Sequence, residues 1–270
     1  MQLEQLIAGF EELWPLAGAE PWDAPGLVCG GLSQPVASVL LTVDVTSEVV
    51  AEAIDGGFDL VLAHHPFLMR GVQTVAETTS KGATMSRAIR ANLAIYAAHT
   101  NADIVIDGVS DTLAKVLGLQ QIRPLVASGD GVGHGRIGQL TDVTTLGEFA
   151  QAIARALPAT ATGVRVAGDY GLSIETVALC GGAGESFISN AVASGADVYV
   201  TSDLRHHVVQ DAREQALLSG GTPALIEISH WAAEFVWLAV AKRQLEARYP
   251  AVKFEVCDLR TDPWDFVITQ

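Results

Sequence analysis

Two hydrophobic periods alternate along the chain. Residues 36–45, 59–63 and 93–98 are short, nearly continuous apolar runs, the pattern of strands buried on both faces. Between them, residues 47–54 and 85–92 carry apolar positions at the 3.6-residue period of a helix. Ser47 is placed to cap the first of these helices, and Gly56-Gly57 to stop it. The first twelve residues interleave Glu with Leu, Ile and Phe at helical spacing, and residues 22–31 read as a turn-rich segment. Strands alternating with helices predict an α/β layer architecture with polar residues gathered at strand exits along one sheet edge.

The second half repeats this plan. Setting Ser38 against Thr176 holds a constant offset through strand, helix and strand: Val39 meets Val177, Ala53 meets Ala191, Gly57 meets Gly195 and Asp59 meets Asp197. After a change of loop length, residues 93–98 match 224–229, which sets His99 opposite His230 and Asp103 opposite Glu234. On the same alignment His64-His65 corresponds to Ser202-Asp203. The predicted fold is therefore two linked, pseudo-repeated α/β domains, residues 1–127 and 128–270, with a dinuclear metal site between them. The boundary is drawn at the glycine-dense stretch 128–135, read as a connector or turn; no Lys-Ser or Lys-Thr follows it, so it is not a Walker phosphate loop. Residues 136–140 read as a short strand, and 253–257 as a last strand in a tail able to pack back on the first domain.

Composition narrows the function classes. With 270 residues and 49% hydrophobic content the chain can bury a sizeable core. Its 16 Lys+Arg against 31 Asp+Glu give a formal charge of -15, which repels nucleic-acid backbones and anionic lipid surfaces. A nucleotide-like small molecule stays open, because bound cations reverse the sign of the field locally. Cys29, Cys180 and Cys257 form no CxxC pair, which fits a reducing cytoplasm better than a disulfide framework. The N-terminal segment lacks the basic and apolar regions of a signal peptide, and no apolar stretch of about 18 residues reads as a membrane span. A soluble, cytoplasmic protein is the expectation.

The chemistry sits at the strand exits. His99-Thr-Asn-Ala-Asp103 and His230-Trp-Ala-Ala-Glu234 each place an imidazole four residues ahead of a carboxylate, and His64-His65 ends a third apolar run. On a helix that spacing sets both donors on one face. Imidazole with carboxylate suits zinc, manganese or ferrous iron, and three separated contributions supply donors for two divalent ions. Pro66 directs the chain away from helical geometry after His65, so the paired rings can serve neighbouring ions. The general-base Glu of HExxH is missing, which argues against a zincin protease. Residues 201–207 read as substrate contacts or as support for the ligands, and His207 there is a candidate proton carrier. Asp23 and Asp44 read only as capping residues near turns.

Several motifs in a fixed order give the chain a family likeness. Gly26-Leu-Val-Cys-Gly30 after Trp22-Asp23, His64-His-Pro-Phe67, the His99 string, Gly135-Arg-Ile-Gly138, Cys180-Gly-Gly-Ala-Gly184, Thr201-Ser-Asp203, the His230 string and Asp262-Pro263 follow one another. From about residue 5 to the end, the chain resembles the Nif-three-like dinuclear metal family, some of whose members are labelled type 2 GTP cyclohydrolase I. The resemblance implies two linked α/β domains and a toroidal homohexamer. It implies that His65 and Asp103 hold one ion, that His64 and His230 hold the other, and that Glu234 bridges them. His99 then stands beside the centre as a supporting group or proton carrier. The length is that of the compact members, without the inserted domain of longer ones. Ser202 and Trp231 depart from the family pattern, which bears on the substrate pocket and not on metal binding.

Two functions follow as expectations. One is dinuclear-metal-dependent hydrolysis of a nucleotide-like small molecule, including ring opening of the GTP cyclohydrolase type, in which two cations lower the pKa of a shared water. The alternative is a non-catalytic, metal-binding oligomeric scaffold that stores, delivers or senses metal.

Overall fold

The apolar runs become the strands of two sheets in a computed structural model that describes residues 1–129 and 131–269. In chain order the elements are α1 (Leu3–Leu13), β1 (Gly26–Cys29), β2 (Ser38–Thr42), α2 (Ser47–Asp55), β3 (Leu60–Ala63), α3 (Ser80–Arg90), β4 (Ala94–Ala97) and the single turn α4 (Thr100–Asp103). There follow α5 (Val109–Val116), β5 (Gln120–Ala127), β6 (Gly133–Thr145), α6 (Leu146–Ala156), β7 (Arg165–Ala167), β8 (Ser173–Ala183), α7 (Ile188–Ala193) and β9 (Val198–Ser202). The chain closes with α8 (His206–Leu217), β10 (Ala224–Glu227), α9 (His230–Arg248) and β11 (Lys253–Val256). Two units result: Met1–Ala102 with Leu238–Thr261, and Asp103–Trp237 with Asp262–Gln270.

The first unit's sheet has the order β1-β4-β3-β2-β11, parallel except for β1. The late strand β11 pairs with β2, Lys253 opposite Ser38. Both faces of the central strands are covered. Val49, Val50 and Ala53 of α2 pack with Leu40, Val61 and Ile95, whereas Phe10 of α1 sits on Tyr96 at a ring separation of 5.1 Å. Burial on both sides is what makes these strands read as unbroken apolar runs. Two details differ from the sequence reading. The turn-rich segment contains β1, which lies antiparallel on β4, and the cap of α2 is Thr46, whose side chain accepts from the Val49 N–H.

The second unit's sheet runs β5-β6-β8-β9-β10-β7, with β8, β9 and β10 parallel and the flanking strands antiparallel. Val177 and Leu179 face a core with Leu113, Phe149 and Ile153, while Ala178 and Cys180 face Tyr199 and Leu225. The glycine-dense stretch joins β5 to β6, with Gly133 and Gly135 already in β6; Asp130 in that stretch lies outside the described residues.

The repeat is visible bond by bond. Val39 pairs with Leu60 in the first sheet, and Val177 pairs with Val198 in the second at the same offset. Asp59 accepts the N–H groups of Ala37 and Ser38 at 2.8 and 3.0 Å, and Asp197 accepts those of Glu175 and Thr176 at 2.9 and 2.8 Å. The turns before these aspartates use Gly57 and Gly195 in the left-handed region, φ 67° and 74°, where a Cβ is disfavoured. Beyond this point the alignment of the two HxxxD/E strings slips by one residue. Leu60 faces Ala94 and Val198 faces Ala224, so the sheet register sets Ala98 against Ile228 and His99 against Ser229. Ser229 takes the place before the helix and its hydroxyl accepts from the Ala232 N–H, which moves His230 into the first turn of α9. His99 and His230 are therefore not equivalent positions.

Candidate functional site

In the first unit, β3 ends at Ala63 and hands the next two residues to the site. The His64 and His65 N–H groups still donate to the carbonyls of Thr42 and Val43, at 3.0 and 2.8 Å, so both are fixed to the end of β2. His99 follows β4 immediately before α4. The three rings converge: His64 lies 5.1 Å from His65 and 5.2 Å from His99, centroid to centroid. One donor nitrogen from each lies within 4.8 Å of the other two.

Each Nδ1 is already committed. His64 Nδ1 donates to the Ala98 carbonyl at 2.8 Å, His65 Nδ1 to Asp44 at 2.7 Å and His99 Nδ1 to Asp23 at 2.8 Å. Carbonyl and carboxylate oxygens only accept, so each Nδ1 carries a proton, and in the neutral ring Nε2 is the nitrogen that carries the lone pair. Asp44 also accepts from the Thr261 hydroxyl at 2.6 Å, and Asp23 from the Thr100 N–H at 3.1 Å. Burial opposes ionisation of Asp23, but hydrogen bonds from His99 and Thr100 outweigh it and bring its pKa down to about 2. Asp23 and Asp44 are thus more than caps: each orients an imidazole.

In the second unit, the one-turn spacing of α9 sets His230 Nε2 2.9 Å from Glu234 Oε1. His230 Nδ1 donates to Asp203 at 2.7 Å. Asp203 follows β9 in the left-handed region, φ 57°, a conformation that Asp tolerates better than most residues. Burial would lower the His230 pKa; Glu234 and Asp203 reverse that and raise it well above the usual histidine value. Glu234 is buried, and the chain passes close beside it. A Cβ on Gly182 would stand 2.7 Å from Glu234 Oε1 and 3.4 Å from His230 Nε2, and Gly182 has φ 72°. This explains one glycine of the Cys180-Gly-Gly-Ala-Gly184 motif, and Thr201 secures the same irregular end of β8 by donating its hydroxyl to the Gly182 carbonyl at 3.1 Å. Burial first, then the charge of Asp103 and also of Glu234, push the Cys180 thiol up to about 12, so this cysteine is an inert neighbour of both carboxylates. A cavity of about 120 Å³ opens beside His230, lined by Asp203, Trp231, Asp262 and Trp264 among others.

Asp103 follows the last residue of the first unit, and its neighbours Ile104 and Val105 are held by Arg136. This arginine is buried and uses all five N–H donors: Nε to Asp111 at 2.9 Å, Nη1 to the carbonyls of Gly133 and Gly135 at 2.7 and 2.8 Å, and Nη2 to those of Ile104 and Val105 at 3.2 and 2.8 Å. His207 is exposed in the first turn of α8, edge-on to His206, and belongs to neither donor group. The donor chemistry, imidazole Nε2 and carboxylate oxygen held in place by further hydrogen bonds, fits zinc, manganese or ferrous iron.

A family model described as Duf34/NIF3 (NGG1p interacting factor 3) matches residues 1–263. This chain belongs to the DUF34/NIF3 family. Among DUF34/NIF3 relatives, it is similar to a GTP cyclohydrolase 1 type 2 homolog of Streptomyces coelicolor, 41% identical over 97% of this chain and 93% of the other. It is also similar to a protein of the same name in Mycobacterium leprae, 31% identical over 98% and 95%. That second alignment runs over 373 positions against the 270 residues here, so this DUF34/NIF3 protein lacks an insertion that the mycobacterial one carries. A Bacillus cereus protein related to NIF3 has the same fold, with a TM-score of 0.90, 26% identity and 99% of both chains covered. The DUF34/NIF3 fold of two α/β units, each with its own sheet, is the one the alternating pattern predicts.

Proposed function

We propose that the protein is a metal-dependent hydrolase of a nucleotide-like small molecule, of the ring-opening kind that the name GTP cyclohydrolase describes. In this reading His64, His65, Asp103, His230 and Glu234 hold two divalent cations. The observation that carries it is the common state of four imidazoles. His64, His65, His99 and His230 each have Nδ1 bonded to a carboxylate or carbonyl at 2.7–2.8 Å, the support that metal-ligating histidines use to present Nε2. Bound cations supply Lewis acidity and a water acidified toward neutral pH.

The protein's own groups do the rest. The Ala98 carbonyl and Asp44 fix the rings of His64 and His65. Asp203 fixes His230, and the buried backbone at Gly182, without a side chain, leaves room for Glu234. Asp23, ionised at any ordinary pH, stabilises a positive charge on the His99 ring and leaves its Nε2 to take a proton and return it to a leaving nitrogen or oxygen. Assembly as a homohexamer in the cytoplasm belongs to the same proposal. Among the described residues, no helix is long and apolar enough to cross a membrane.

The test is metal content by mass spectrometry, with nucleotide hydrolysis measured before and after chelation. About two ions per chain, lost in His64→Ala and Glu234→Ala variants that stay folded, with chelator-sensitive turnover, is the expected result. Two ions without turnover on any nucleotide would replace the hydrolase with a metal-binding scaffold. Unchanged metal content in both variants would refute the site itself.

A further inference from the structure

The second unit contains a larger cavity, about 550 Å³, between the edge strand β7 and helix α8. It falls in the size range of small-molecule sites. Its floor is apolar: Leu225 and Leu204 are buried there, with Val166 of β7 at the side. Two guanidinium groups line it. Arg165 is paired with Glu227 across β7 and β10. Arg213, on the exposed side of α8, has no carboxylate within ion-pair distance among the described residues; Glu214, also on the lining, is exposed. In a chain of formal charge -15, a guanidinium without a carboxylate partner above an apolar floor is a place where an anion gains a strong, charge-assisted hydrogen-bond partner.

We propose that this cavity binds a small organic anion, an apolar body on Leu204, Leu225 and Val166 with a carboxylate or phosphate group at Arg213. The site is separate from the candidate metal donors, and the proposal stands whether or not those donors hold metal. Arg165 and Glu227 line both this cavity and the smaller one beside His230, so their ion pair is the partition between them.

The test is calorimetric titration of the intact protein with phenyl phosphate and with benzoate, in the presence of chelator so that neither probe can rest on a metal. Inorganic phosphate and phenol are the controls for charge alone and for the apolar body alone. Binding of one probe per chain is expected, with both controls weaker by about tenfold or more, because each forfeits one of the two contributions. Phenyl phosphate bound in preference to benzoate assigns a phosphorylated ligand, and the reverse a carboxylic acid. Arg213→Gln is expected to weaken binding about tenfold or more by removing a charge-assisted hydrogen bond. Leu217→Glu changes an exposed side chain one helical turn from Arg213 and supplies the missing partner, so it should weaken binding in a protein of unchanged fold. No binding of either probe, equal binding by wild type and both variants, or binding lost in His230→Ala but kept in Arg213→Gln would overturn the assignment.

Discussion

Replacing Arg136 by methionine tests how the second unit positions Asp103. The side chain is 1% exposed and its five donors meet five acceptors, four of them backbone carbonyls at the start of β6 and at 104–105. Methionine fills much of the volume and satisfies none of them. Removing one member of a buried ion pair costs about 3–5 kcal/mol. Lys115 still reaches Asp111 at 2.7 Å, which places the expectation at the lower end, about 3 kcal/mol. That corresponds to a fall in Tm of about 6–12 °C for a unit of this size. Urea unfolding followed by tryptophan fluorescence should show an earlier midpoint at unchanged slope. Arg136→Lys should fall between the two, because it keeps the charge toward Asp111 but not the fork. Released from Arg136, the 104–105 backbone should shift Asp103, and metal content should drop with stability. A loss below about 1 kcal/mol, or Lys matching Arg, would refute the reasoning.

Three other predictions follow from the geometry. Asp44→Ala leaves His65 in place but removes its anchor, and should weaken metal binding by about 10–100-fold in competition with a chromophoric chelator; unchanged affinity would separate His65 from the metal. Asp59→Ala and Asp197→Ala each strip the acceptor from two backbone N–H groups at matched sites, so each should destabilise by about 1–3 kcal/mol, with unequal losses counting against structural equivalence of the repeats. Asp23 has a folded pKa of about 2 against an ordinary 3.8, so it contributes stability that is present above the ordinary value and lost as pH falls toward 2. Wild type should therefore lose more stability than Asp23→Asn between about pH 5 and pH 2 in chemical unfolding, and parallel curves would exclude this term.

The elements legible in the sequence were those under two-sided burial. β2, β3 and β4 read as apolar runs because neither face meets water, and the repeat offset was visible because Asp59 and Asp197 perform the same bonding. β1 was hidden in a turn-rich segment because an edge strand of four residues, half of them partly exposed, carries no period. The donors of the site were legible as strings, since His64, His65, His99, His230 and Glu234 stand at the exits of readable strands. Their partners were not. Asp23 lies 76 residues from His99, and Asp44 lies 21 from His65, so only the fold brings each carboxylate to its ring. Arg136 looks in sequence like an ordinary exposed charge on a strand; its role depends on carbonyls of Gly133, Gly135, Ile104 and Val105 that only the fold gathers around it. The one-residue slip between His99 and His230 escaped the alignment because matching strings of side chains outweighs backbone register, which only the paired strands reveal.

The strand exits of the two copies have exchanged chemistry. After β3 the second exit residue is the imidazole of His65, which leans on the carboxylate of Asp44; at the matching place after β9 stands the carboxylate of Asp203, on which the imidazole of His230 leans. The sequence offset sets Gly182 where the first copy has Asp44. The two copies of the pattern are thus alike in scaffold and unlike in inventory. A chain with its first half doubled would hold two histidine triads and no counterpart of Glu234, and one with its second half doubled would have no triad at all. Copying either half over the other would therefore erase the set of donors that the two halves supply between them.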